Sequence, residues 1–277
     1  MTKSRTDFTT YIRRPVHGAS SARETAFAAC AAAVLALGAW AGSASAQDPV
    51  AALPTGDAVL AKYVEATGGV AAYDAIKNRV VHARMEIMGA GVVLGLTVYN
   101  APPASLYTVV ESEATGRVET GVSGGVAWEN SALRGAIVKD GVERDDALRD
   151  AIFDRMAHWK EHLKSAECVG TTDVNGKPAY RVVATPKTGS PQTLYFDKDT
   201  GLLVRTETTV NSAAGAVPVV AEPGDFRKVD GIMLAFTSRM KVMGQDRVVT
   251  IEKVEHNVEL PADRFALPAE IRPLVKK

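Results

Sequence analysis

Along this chain the spacing of apolar residues changes period near Asn78. Before it, Val59, Leu60, Tyr63 and Val64 recur three and four apart, which predicts a first helix from Asp57 to Ala66. Thr55 and Asp57 supply side-chain acceptors for the free amides of its first turn, and Gly68-Gly69 ends it. A second short helix, Val70 to Lys77, carries Ala72, Tyr73 and Ile76 on one side. Beyond Asn78 the period falls to two: Val81, Ala83, Met85 and Ile87 alternate with His82, Arg84 and Glu86. Further strands are predicted at Val92–Tyr99, Leu106–Glu113, Val118–Val122 and Val126–Glu129, punctuated by Gly89-Ala90-Gly91, Pro102-Pro103, Gly116 and Gly124-Gly125.

A helical stripe then returns. Leu148, Ile152, Met156 and Trp159 predict one amphipathic helix from Asp145 to Lys164, with Asp145-Asp146 at the positive end of its dipole. The remainder reads as hairpins. Cys168–Val174 and Ala179–Ala184 meet at Asn175-Gly176, two residues that tolerate positive φ. Gln192–Phe196 and Leu202–Val210 meet at 197–201, Val217–Val229 and Met233–Met243 at Asp230-Gly231, and Arg247–Val258 follows. Two short helices, a meander, one long helix and more strands make an α+β fold. A large curved antiparallel sheet with helices covering its concave face fits that order.

The first 46 residues have a different character. Lys3, Arg5, Arg13, Arg14 and Arg23 precede an apolar run from Ala26 to Gly42, which ends at Ala44-Ser45-Ala46. This is the layout of a cleavable secretory signal, giving a signal peptide at 1–46, a linker at 47–54 and one domain at 55–277, located in the periplasm. The run is short for a membrane span. Arg13-Arg14 raises the twin-arginine route, but Pro15-Val16-His17 follows in place of an apolar continuation. Taking the five basic and two acidic residues of this segment from the 32 and 32 of the whole chain leaves a net charge of −3. With no basic tract, nucleic acid is not an expected partner. Cys168 is then the only cysteine, which excludes an internal disulfide and any multi-cysteine zinc site.

Several segments, in order, resemble the outer-membrane lipoprotein-sorting family, the LolA/LolB-like carriers, and more closely its uncharacterised envelope branch. They are Val59 to Gly69, Gly124-Gly125-Val126-Ala127-Trp128-Glu129, Thr193 to Val204, Gly224 to Phe236, and Asn257 to Pro268. The resemblance implies a half-open β-barrel closed by helices, an apolar interior for acyl chains, and a lipid or acylated lipoprotein as partner. Inner- or outer-membrane partner proteins would accompany it. It implies no cofactor and no enzymatic activity.

On that reading the candidate ligand-binding residues are apolar. From the first strands they are Met85, Ile87, Leu94, Leu96 and Val98, with Leu106, Val110 and Trp128 after them. Ile152 and Met156 come from the long helix, and Leu194, Phe196, Leu203, Phe236 and Met240 from the later strands. Sequence alone does not separate such residues from ordinary core. Two other readings stay open. One is an accessory envelope protein whose barrel is filled by its own side chains. The other is a zinc-dependent hydrolase, because His158-Trp159-Lys160-Glu161-His162 matches H-x-x-E-H, which on a helix sets two histidines on one face. Against zinc, Trp159 belongs to the apolar stripe, so no metal site is expected. Asp197 and Asp199 are read as turn residues rather than calcium ligands.

Overall fold

The computed structural model describes residues 52–113, 116–212 and 215–275. The expected signal segment, its cleavage site and most of the linker lie outside these residues. Helix α1, Gly56–Ala66, is capped by the Thr55 hydroxyl, which accepts from the Ala58 amide. Helix α2 spans Val70–Asp74. The first meander is β1 Arg79–Ile87, β2 Val92–Ala101, β3 Ser105–Ser112, β4 Gly116–Ser123, β5 Val126–Ser131 and β6 Gly135–Val138. Helices α3, Gly141–Ala151, and α4, Trp159–His162, follow. The second meander is β7 Leu163–Val174, β8 Lys177–Pro186, β9 Gln192–Asp197, β10 Leu203–Ser212, β11 Gly215–Val229, β12 Ile232–Val242 and β13 Gln245–His256.

All thirteen strands among the described residues form one antiparallel sheet. Each meander pairs in sequence order, and β1 joins them by pairing with β13, Arg79 opposite His256 and Ile87 opposite Arg247. β6 and β7 are left as free edges, so the sheet is not closed. The predicted strands are present with small shifts at their ends. Strand β6, four residues long, has no counterpart among them.

The long helix expected at 145–164 is instead two helices separated by a bent segment, 152–158. Ile152 leaves helical geometry with ψ 119°, and Asp154 has φ 46°. Distant groups hold the break. The Phe153 amide donates to the Pro103 carbonyl at 3.0 Å, and both Asp154 carboxylate oxygens accept from Arg79, at 2.9 and 3.1 Å. A bidentate pair with little solvent around it outweighs the few tenths of a kcal/mol that helix propensity supplies per residue.

One face of the sheet carries the helices. Val59 and Leu60 of α1 pack on Val182, Ala184, Leu194 and Phe196, with the Tyr63 ring edge-on to Phe196 at 5.4 Å. Gly56 lies against the backbone of Ala166 so closely that no Cβ fits. Further along, Ala151 of α3 packs with Val122 and Ala127, while Tyr73, Phe153 and Ile232 form a third cluster. Asp146 ties α3 to the second meander. Its carboxylate accepts from the Ser190 amide at 2.6 Å, Asn211 at 2.7 Å and Arg149 at 2.9 Å. On the opposite face the rings of Tyr99, Tyr107 and Trp128 follow one another at 5.8 and 5.9 Å, and Arg264 of the C-terminal tail lies 4.4 Å over Tyr99.

Candidate functional site

Cross-strand partners share a face, so the register assigns each candidate residue to a side. Met85 stands opposite Leu94, Ala83 opposite Leu96, and Val81 opposite Val98; Leu96 in turn faces Val110. Leu106 faces Val122, which belongs to the cluster under α3. Met85, Ile87, Leu94, Leu96, Val98 and Val110 are therefore on the helix side, and all six are only partly buried. Met240, opposite Arg247 and so in line with Ile87, shares that side, and so does the buried Phe236 four residues earlier. Leu194 and Phe196 are in the packed core beneath α1. Trp128 is on the other face. It stands opposite Gly121, where a Cβ would come within 2.6 Å of the indole, and beside Tyr107.

Ile152, Met156 and Leu203 come together in a cavity of 340 Å³ between α1, the bent segment and strands β10 to β12. Tyr63, Tyr73 and Leu234 add apolar or aromatic wall. Ile152 and Met156 reach it from the bent segment between α3 and α4.

Polar groups that the sequence reading did not select also line it: Arg79, Asn100, Asp150, Asp154 and Arg155. Arg155 bonds to Gln192 at 3.1 Å and to Asp150 at 3.2 Å, and burial pushes its pKa down. Arg79 does more than hold Asp154. Its Nε–H donates to His256 Nε2 at 2.9 Å, and His256 Nδ1 is 2.9 Å from Asp230. With Nε2 accepting, the imidazole is neutral and Nδ1–H donates to Asp230. Burial lowers the His256 pKa, Arg79 lowers it further, and Asp230 and Asp154 oppose the shift. Burial also raises the pKa of Tyr63 well above its ordinary value. A signal for this wall exists in the sequence: Asp154-Arg155 interrupts an otherwise apolar stripe.

A larger hollow of 640 Å³ lies mainly on the opposite face of β10 to β13. Its walls are charged: Arg205 pairs with Glu222 at 2.6 Å and Lys241 with Asp246 at 3.8 Å, while the buried Nε of Arg247 has no hydrogen-bond partner. The smaller cavity is the better candidate, because it joins apolar wall to a few convergent polar groups.

The H-x-x-E-H segment does not present a zinc face. His158 precedes α4 with φ −114°, outside the helix that would align it with His162. Its Nε2 is 2.9 Å from Asp74, and burial lowers the His162 pKa. Among the described residues no group of three or more His, Cys, Asp or Glu is placed to hold a metal. Asp197 closes its own turn, accepting from the Thr200 amide at 2.7 Å and the Asp199 amide at 3.0 Å. Cys168 is a free thiol. No described helix is long and apolar enough to cross a membrane.

No family model matches this chain, and no curated protein matches it. Crystal structures do. A DUF1329 family protein from Desulfovibrio piger superposes with TM-score 0.53 at 16% identity, over 77% of this chain and 98% of that one. A LolA superfamily protein from Nitrosomonas europaea gives 0.52 at 13% identity, over 78% and 99%. A putative outer membrane lipoprotein-sorting protein domain from Vibrio parahaemolyticus gives 0.51 at 11% identity, over 76% and 96%. At such identities the likeness is one of fold: this chain shares the fold of these three proteins, a LolA superfamily protein among them.

Proposed function

We propose that this protein is an exported carrier or binding protein for a lipid-like ligand, acting without catalysis in the periplasm. The helix side of the sheet is then the concave interior of a half-open barrel. The observation that carries the reading is the cavity at the helix break, where Ile152, Met156 and Leu203 converge, on the face that holds the partly buried row from Met85 to Val98. Side chains that folding leaves half-exposed on one face gain most from an acyl chain laid over them. Each buried methylene contributes about 0.8 kcal/mol, so a long chain binds with few polar contacts. Arg155 and Arg79 at the cavity wall suit a polar or anionic end. The similar protein described as a putative lipoprotein-sorting domain points to the same class of cargo.

The experiment is displacement of a fluorescent fatty acid from the purified protein, with mass spectrometry of lipids that co-purify. Saturable binding, lost on filling the cavity, is the expected result. Absence of both a displaceable probe and a co-purifying lipid would leave the filled barrel as the better account.

A further inference from the structure

Two buried side-chain nitrogens find no hydrogen-bond partner among the described residues, the Nε atoms of Arg264 and Arg247. Arg264 has another answer to its charge. Its guanidinium lies over the rings of Tyr99 and Tyr107, at 4.4 and 5.7 Å from their centres. Arg247 has none: among the described residues it makes no ion pair, hydrogen bond or ring contact.

The setting of Arg247 makes this costly. On β13 it stands between Met240 of β12 and Ile87 of β1, so its side chain leaves the sheet on the helix side. Of the residues around the 640 Å³ hollow, only Met240 and Arg247 belong to that side by register. The next row along is Ser238, Val249 and Met85, and neither row contains a carboxylate. Other arginines on this side are held. Arg79 donates to both oxygens of Asp154, and Arg155 is 3.2 Å from Asp150. A methionine would fill the position of Arg247 with no charge to desolvate, so folding alone gives no reason for a guanidinium there.

Arg247 and the cavity at the helix break mark opposite ends of one groove. Arg79 and Asn100 line the cavity, and the eight residues from Arg79 to Ile87 span about 26 Å of strand. The partly buried Met85, Leu94, Leu96 and Val98 occupy the interval.

We infer that Arg247 receives the acidic group, a carboxylate or a phosphate, of the lipid-like ligand, whose chain runs from there along this row toward the cavity. The inference rests on the carrier reading and narrows it. The cavity arginines already hold carboxylates, so that end takes an uncharged group. The planar guanidinium of Arg247, free to pair two oxygens at once, takes the anion.

The test compares a fluorescent fatty acid with its methyl ester on the purified protein at about pH 8, where the acid is ionised. The parent should bind the acid about tenfold more tightly, the difference one charge-assisted contact makes. Arg247→Met should bring the acid down to the ester, leave the ester's affinity as it was, and melt no lower than the parent. Arg247→Lys keeps the charge and should recover part of the preference. Lys241→Met removes an equal charge from the opposite face and should leave the preference intact. An alkyl phosphate of equal chain length is the second arm, and the tighter of the two anions identifies the headgroup. Acid, phosphate and ester binding alike, an equal loss of acid and ester in Arg247→Met, or as large a loss in Lys241→Met would overturn the inference and leave the carrier standing. No binding of any of the three would remove the carrier reading, and the inference with it.

Discussion

Replacing Met156 with tryptophan sets cavity against packed core in a single side chain. Met156 lines the 340 Å³ cavity and also touches the core beneath α1. The indole adds about six non-hydrogen atoms, on the order of 60 Å³ at interior packing density. If the cavity is open, filling that much void at ~24 cal/mol per Å³ stabilises the ligand-free protein by up to ~1.4 kcal/mol. The same volume is about two methylenes of ligand, ~1.6 kcal/mol, or roughly fifteenfold in affinity. If the site is filled, the ring overpacks it at a cost of about 1–3 kcal/mol. For a domain of this size each kcal/mol moves the melting temperature by about 2–4 °C. Open space therefore predicts an unchanged or higher melting temperature with weakened fatty-acid binding. A fall of several degrees, with affinity as in the parent, would refute the reasoning.

Four further outcomes are expected. Asp146→Ala removes the acceptor shared by Ser190, Asn211 and Arg149 while Asp150 still pairs with Arg149, and should cost about 2 kcal/mol in thermal unfolding. Burial holds His256 below its ordinary 6.5, so the unfolded chain binds more protons there. Its stability contribution is complete above about pH 6.5 and is lost as pH falls through the folded value; His256→Asn should flatten that slope, leaving the part due to His162. The double change His158→Ala, His162→Ala should remove one His–Asp contact, worth under about 1 kcal/mol, with no stoichiometric metal lost on elemental analysis. N-terminal sequencing of the exported protein should begin at Gln47.

The strands were largely legible because their turns carry their own chemistry. Asn175, Asp230 and Met243 occupy positive φ at three hairpin turns, and the first two were readable as turn residues. The helix break was not legible. Ile152, Met156 and Trp159 keep helical spacing, while the groups that bend the segment, Pro103 and Arg79, are 50 and 75 residues away. β6 escaped because four residues are too few for a period to emerge. Trp128 alternates correctly with Ala127, but only pairing decides which of the two faces the helices. The polar wall of the cavity was passed over for a similar reason: Arg79 reads as one more residue of a strand until Asp154 and His256 are brought to it.

The joining of the two meanders through β1 and β13 has a consequence for how the chain reaches this state. Every other strand pair is between neighbours in sequence, so each half can zip from its own turns. The β1–β13 ladder instead closes a loop spanning most of the domain, and that loop entropy must be met by contacts already in place. Each half should thus gain structure before the seam forms, with the Asp146 cluster and the Arg79–Asp154 pair arriving as late fasteners across it. Substitutions at the seam would then act mainly on how fast the protein opens, and those in the local hairpins on how fast it forms.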